Sequence, residues 1–246
     1  MKKYGKNCFW VKIDHITPIQ FSVENIICVL VDISTSMYAP FIEELDSSNL
    51  QQASRLLLQI KPEFVSCNNW YDQFPETPKV IVRVAHNNSE IFVRFDVEER
   101  FTAARIESDN GKVWFDSTCE FFINFNDLEY YNIEMTCIGK VLLGFHNRLI
   151  DYNVLGSTDS IKRLSSLGTN TFNERIGDNK WNLTYSIPLS AFWKHNLTSL
   201  HGVNARCNFY KCGDGLTKPH FLSWAPISSP KPFFHLPQFF GDIYFE

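Results

Sequence analysis

The sequence predicts an all-β protein, an antiparallel β-sandwich of jelly-roll-like form with one or two short peripheral helices. Three observations carry this. Phe occurs 22 times in 246 residues, beside 9 Tyr and 6 Trp, a composition suited to the packed faces of sheets. Short runs that alternate apolar and polar residues recur from Lys79 to Phe245, separated by turns rich in Gly, Pro, Asn and Asp. Only one stretch, beginning at Ser48, has strong helical periodicity, which points to a sandwich rather than an α/β fold.

Residues 1–36 hold apolar clusters with no partnering pattern and read as an appendage, with the domain proper over residues 37–246. Met37 is a candidate alternative start, an expectation that an intact mass retaining residues 1–36 would overturn. From Ser48 the apolar residues Leu50, Ala53, Leu56, Leu57 and Ile60 fall on one helical face. Ser48 and Gln51 have capping-box spacing, and Pro62 stops the helix.

Lys79–Ala85 and Glu90–Val97 alternate and flank the turn His86–Ser89, predicting an antiparallel hairpin. Arg100–Lys112 reads as a polar loop that delivers Trp114 to the mouth of the next strand. Thr118–Phe125 and Glu129–Ile138 then form the central hairpin. The pairing that puts Phe121 opposite Ile133, Ile123 opposite Tyr131 and Cys119 opposite Met135 gathers the apolar set on one face. It also puts Phe122 opposite Asn132 and Glu120 opposite Glu134. A strand over Lys140–His146 follows. Arg148–Asn179 reads as a long loop with a short helix at Asp159–Leu164. Trp181–Ile187, Val203–Tyr210, His220–Trp224 and Gly241–Phe245 are the remaining strands.

Composition excludes several classes. The formal charge of −4 and the absence of a long Lys/Arg run leave no electrostatic footprint for nucleic acid. The longest uncharged apolar run near the N-terminus, Ile26–Val31, is far too short to span a membrane, and no secretory leader is evident, so a soluble cytoplasmic protein is expected. The seven cysteines lack zinc-type spacing and read as reduced, buried thiols.

The run Val113-Trp114-Phe115-Asp116-Ser117-Thr118-Cys119-Glu120-Phe121-Phe122-Ile123 resembles a signature of the family 9 carbohydrate-binding modules. A second motif in the same order, Ser223-Trp224 followed by Phe234, Pro237 and Phe240-Gly241, extends the resemblance over about Ser66 to Glu246. It implies a non-catalytic module that binds a carbohydrate ligand, commonly as an accessory to a glycoside hydrolase in carbohydrate breakdown. It also implies an aromatic clamp of Trp114 and Phe234 around Glu120. Better-characterised members carry a Trp where this chain has Phe234, and an Arg where it has Glu134.

A sugar site needs flat aromatic faces for the C–H surface of a pyranose and planar polar groups for its hydroxyls. Trp114, Phe122 and Phe234 are the candidate platforms, and Glu120, Asn204, Arg206 and Asn208 the candidate hydroxyl partners. Glu120 and Glu134, directly opposed, would repel, which calls for a proton or for a cation between them, with Arg206 the candidate; a shifted register would instead leave both solvated. Two alternatives stand beside sugar binding. One is a glycoside hydrolase using Glu120 and Glu134 to hydrolyse O-glycosyl compounds; the other is an interaction domain that has lost its sugar. No cofactor is called for. Asp116 is a turn acceptor, or a ligand to a structural calcium ion by resemblance.

Overall fold

The computed structural model describes residues 35–126, 129–147 and 152–246, so most of the expected appendage, residues 1–34, lies outside the described residues. β1 (Ser36–Ala39) leads through a 3-10 turn into helix α1 (Leu50–Leu57), followed by β2 (Glu63–Phe64), β3 (Lys79–His86) and β4 (Glu90–Ala104). A second 3-10 turn, Val113–Phe115, precedes β5 (Thr118–Asn126), β6 (Glu129–Thr136), β7 (Val141–Asn147), β8 (Tyr152–Leu155) and β9 (Lys162–Ser165). β10 (Phe172–Pro188), β11 (Asn204–Cys212), β12 (Phe221–Ser223) and β13 (Gly241–Phe245) complete the chain.

These strands make the expected sandwich. One sheet runs β1-β13-β11-β5-β6-β7-β8, with β12 also on β11, and the other runs β2-β3-β4-β10-β9. Every pairing between named strands is antiparallel except that of β1 with β13. The odd-numbered residues of β5, Cys119, Phe121 and Ile123, enter the main core with Val82, Val84, Phe95, Leu183 and Tyr185 of the opposite sheet. Phe121 stacks on Phe209 of β11 at 5.0 Å. Trp224 belongs to this core too, with its indole N–H donated to Glu63, as a packing residue. The described cysteines, Cys67, Cys119, Cys137, Cys207 and Cys212, are unpaired, and all but Cys67 are buried. Among the described residues no helix is long and apolar enough to cross a membrane.

Three local expectations are corrected. Helix α1 is capped by Asn49, whose side chain accepts from the Gln52 N–H at 3.1 Å. The Ser48 capping box does not form because Ser47–Asn49 wind as a 3-10 turn capped by Asp46. The expected helix at Asp159–Leu164 is a turn closing into strand β9, which pairs with β10. The long loop over Arg148–Asn179 contains β8, β9 and the first half of β10. That half of β10 pairs with the extension of β4 past Val97. Its residues from Asn173 to Lys180 are mostly solvent-exposed, so the apolar alternation that marks a half-buried strand is missing there.

Candidate functional site

The hairpin of β5 and β6 has the register read from its pattern: Phe121 pairs Ile133, Phe122 pairs Asn132, and Glu120 pairs Glu134. With the odd positions of β5 buried in the main core, Glu120 and Glu134 share the other face of the sheet. There they line a cavity of ≈ 240 Å³ together with Trp114, Cys212, Asp214 and the segment Pro232–His235.

Each wall is held in place by the backbone. Trp114 sits on the 3-10 turn before β5, where Thr118 Oγ1 donates to the Val113 carbonyl at 2.6 Å. The Trp114 and Phe115 carbonyls accept from Asp214 N and Gly215 N, both at 3.0 Å, which ties the Trp turn to the turn after β11. Gly215 is required at this seam, because a Cβ there would lie 2.7 Å from the Phe115 carbonyl oxygen. Asp116 is a turn acceptor: its buried carboxylate takes the Arg105 and Ile106 N–H groups and Arg105 Nε, at 2.5, 2.7 and 2.9 Å. Among the described residues no group of three His, Cys, Asp or Glu side chains could hold a metal ion.

The C-terminal segment supplies further rings of the lining. Phe234 is buried, 8 % exposed, and stacks on Tyr210 at 4.2 Å with its carbonyl accepting from the Tyr210 hydroxyl. Phe233 beside it is 49 % exposed, and is the freer ring at the cavity. His235 pairs its Nδ1 with the Tyr130 hydroxyl at 3.0 Å, and burial pushes its pKa down to about 4.

The acids dominate the electrostatics. Glu120 Oε1 accepts from Cys212 Sγ at 3.0 Å, and Glu134 Oε1 from Asn132 Nδ2 at 2.8 Å. Burial, then repulsion from Glu134, pushes Glu120 well above the ordinary carboxylate range. Burial raises Glu134 to about 7 against the pull of the Asn132 hydrogen bond. Partial desolvation raises Asp214, an exposed residue at the rim, to about 6.

Four of the expected residues, Trp114, Glu120, Glu134 and Phe234, thus meet at one cavity. The other four do not. Phe122 is fully buried beneath it, packed against Tyr130, Tyr210 and His235, so it supports the floor and presents no platform. Asn208 is also buried, its amide committed to the Ala225 N–H and carbonyl and to the Phe209 N–H. Asn204 and Arg206 line a separate shallow cavity with Asp242 and Tyr244. Arg206 therefore does not bridge the acids: Tyr210 is the β11 residue opposite Glu120, and Arg206 is four residues away, ~13 Å along the strand. Its guanidinium instead reaches the Phe240 carbonyl and lies 3.9 Å from Asp242.

Phe233, Asp214 and Cys212 went unread in the sequence. Cys212 was within reach, since it shares the parity of Asn208 and Tyr210 on β11, whereas Phe233 and Asp214 lie on irregular segments with no periodicity to read. A larger cavity, ≈ 700 Å³, lies against the second sheet and is lined by Phe64, Pro78, Lys79, Trp181 and Lys180 among others. It contains none of the eight expected residues.

Residues 51–245 match carbohydrate-binding family 9. A Bacteroides uniformis protein of known crystal structure, assigned to carbohydrate binding, is 37 % identical. The match covers 87 % of this chain and 100 % of that one, with a TM-score of 0.82. Two structures of a family 9 module from Caldicellulosiruptor kristjanssonii also match. The one in complex with glucose is 11 % identical with a TM-score of 0.48, covering 86 % of this chain and 95 % of that one. The one with cellotriose is 10 % identical with a TM-score of 0.49, covering 86 % and 93 %. No curated protein sequence matches the chain.

Proposed function

Because this chain belongs to carbohydrate-binding family 9, we propose that its aromatic-walled cavity holds a single terminal sugar unit of a glycan, without catalysis. One observation carries the reading. Trp114 and the Phe233-Phe234 segment line the same small cavity as two buried carboxyls, Glu120 and Glu134. Rings cover the apolar face of a pyranose, and carboxyl oxygens hydrogen-bond its hydroxyls. At ≈ 240 Å³ the cavity lies just below the ~300–1,000 Å³ usual for small-molecule pockets, which suits one ring better than a chain.

On this reading the module serves as an accessory that brings a glycoside hydrolase to its substrate.

Calorimetric titration of the full chain with a panel of mono- and disaccharides tests this. Saturable binding that Trp114→Ala abolishes is expected. Equal heats from the wild type and that variant across the panel would defeat the proposal.

A further inference from the structure

Resting on that sugar-binding reading, we infer that the preferred ligand is an amino sugar carrying a protonated amine, held by Glu120, Glu134 and Asp214 beneath the aromatic walls. The lining of the cavity contains three carboxyl groups and no Lys or Arg. Glu120 and Glu134 are 3 % and 4 % exposed. Each commits one oxygen, to Cys212 and Asn132 respectively, and the other has no hydrogen-bond partner among the described residues. An oxygen left open on the wall of a cavity is available to a donor that arrives with the ligand.

Among the described residues, three cations on the strands and turns around the cavity are committed elsewhere. Lys211 pairs with Glu99 at 2.8 Å, Arg105 with Asp116 at 2.9 Å, and Arg206 lies on the far part of β11 beside Asp242. A protonated amine fits on three counts. It has three N–H donors and no acceptor, to set against the carboxyl oxygens of the lining. Its charge favours ionisation of the facing Glu120–Glu134 pair, which burial and mutual repulsion otherwise oppose. The faces of Trp114 and Phe233 attract a desolvated cation. A neutral hexose offers hydroxyls alone, and leaves the acids to repel or to take up protons.

The test titrates the full chain at pH 7 and low salt with glucosamine, galactosamine and mannosamine. Each is set against its N-acetyl derivative and its parent hexose. In at least one set the amine is expected to bind about tenfold more tightly than both neutral forms, with added salt narrowing the gap. Glu134→Gln and Asp214→Asn should each shrink that ratio. Asp214 is on an exposed turn, so its variant keeps the test valid if Glu134→Gln does not fold. If parent hexoses or N-acetyl sugars bind as tightly as the amines in every set, the inference is overturned and the sugar-binding reading stands. If no sugar in any set binds, nor any in the wider panel, both fall.

Discussion

Glu120 and Glu134 stand directly opposite each other on β5 and β6, and both carboxyls line one aromatic-walled cavity. That pairing makes the stability of the fold depend on pH in an unusual direction. An unfolded Glu releases its proton near 4.5, whereas in the fold Glu134 holds it to about 7 and Glu120 longer. Across that window the folded chain binds more protons than the unfolded one. The stabilising contribution of the pair is complete below about pH 4.5 and is lost as pH rises through 7. Glu134→Gln keeps an oxygen to accept from Asn132 and removes the titration. It should raise stability over the wild type by on the order of 1–3 kcal/mol at pH 8, with the gap closing towards pH 4.5. Thermal melts of both proteins at the two pH values check this, and an equal gap at both would refute it.

The two neighbouring rings of the C-terminal wall should separate affinity from stability. Phe234 stacks on Tyr210, so Phe234→Ala is expected to cost about 3 kcal/mol of folding free energy. Phe233 is largely exposed, so Phe233→Ala should change stability by less than about 1 kcal/mol while weakening sugar binding severalfold. Urea unfolding paired with calorimetric titration reads both quantities. Lost stability without lost affinity in Phe233→Ala would move the wall to Phe234.

How much of this was legible follows from periodicity. The β5–β6 register could be read because two faces of one hairpin carry different chemistry, so a one-residue slip would have put Glu120 into the apolar core between the sheets and Phe121 on the cavity face. The same parity put Asn204, Arg206 and Asn208 on the site's face of β11. Parity fixes a face, however, and not a position along it. The strand is long enough that Arg206 lies beside Asp242 while Tyr210 lies beside Glu120. Phe122 had the right parity too, but the Tyr130, Tyr210 and Phe240 rings, from strands and a segment distant in sequence, close over it. Which of Phe233 and Phe234 turns outward is set by the stack on Tyr210, a contact between residues 24 apart that no local pattern encodes.

The interior of the sandwich holds a charged cluster that should prove sensitive to its cation. Lys211, with no exposed surface, lies 2.8 Å from Glu99 Oε2 and 2.8 Å from His220 Nε2. Glu99 Oε1 accepts from the Trp181 indole N–H and the Thr102 hydroxyl. Lys211→Met leaves Glu99 buried and uncompensated, which should cost about 3–5 kcal/mol. Adding Glu99→Gln removes the stranded charge but keeps an acceptor for Trp181 and Thr102, so the double variant should recover a large part of the loss. Denaturant unfolding of the two singles and the double tests it, and additive losses would contradict the coupling.

The support behind Glu134 offers a test at a distance from the ligand. Gly144 on β7 pairs with Asn132 on β6. A Cβ at Gly144 would run into the Asn132 side chain, which donates to Glu134 and lies 3.0 Å from His146 Nε2. Asn132 is buried, so it cannot swing into solvent to make room. Gly144→Ala should therefore push Asn132 off Glu134, and with it shift the carboxyl that faces the sugar. The expected result is sugar affinity weakened by about tenfold, although residue 144 touches no ligand. Pairing Gly144→Ala with Asn132→Ala makes the room, and affinity in the double variant should match that of Asn132→Ala alone. If Gly144→Ala weakens binding further in the Asn132→Ala background, the effect does not run through Asn132, and this account of how Glu134 is positioned fails.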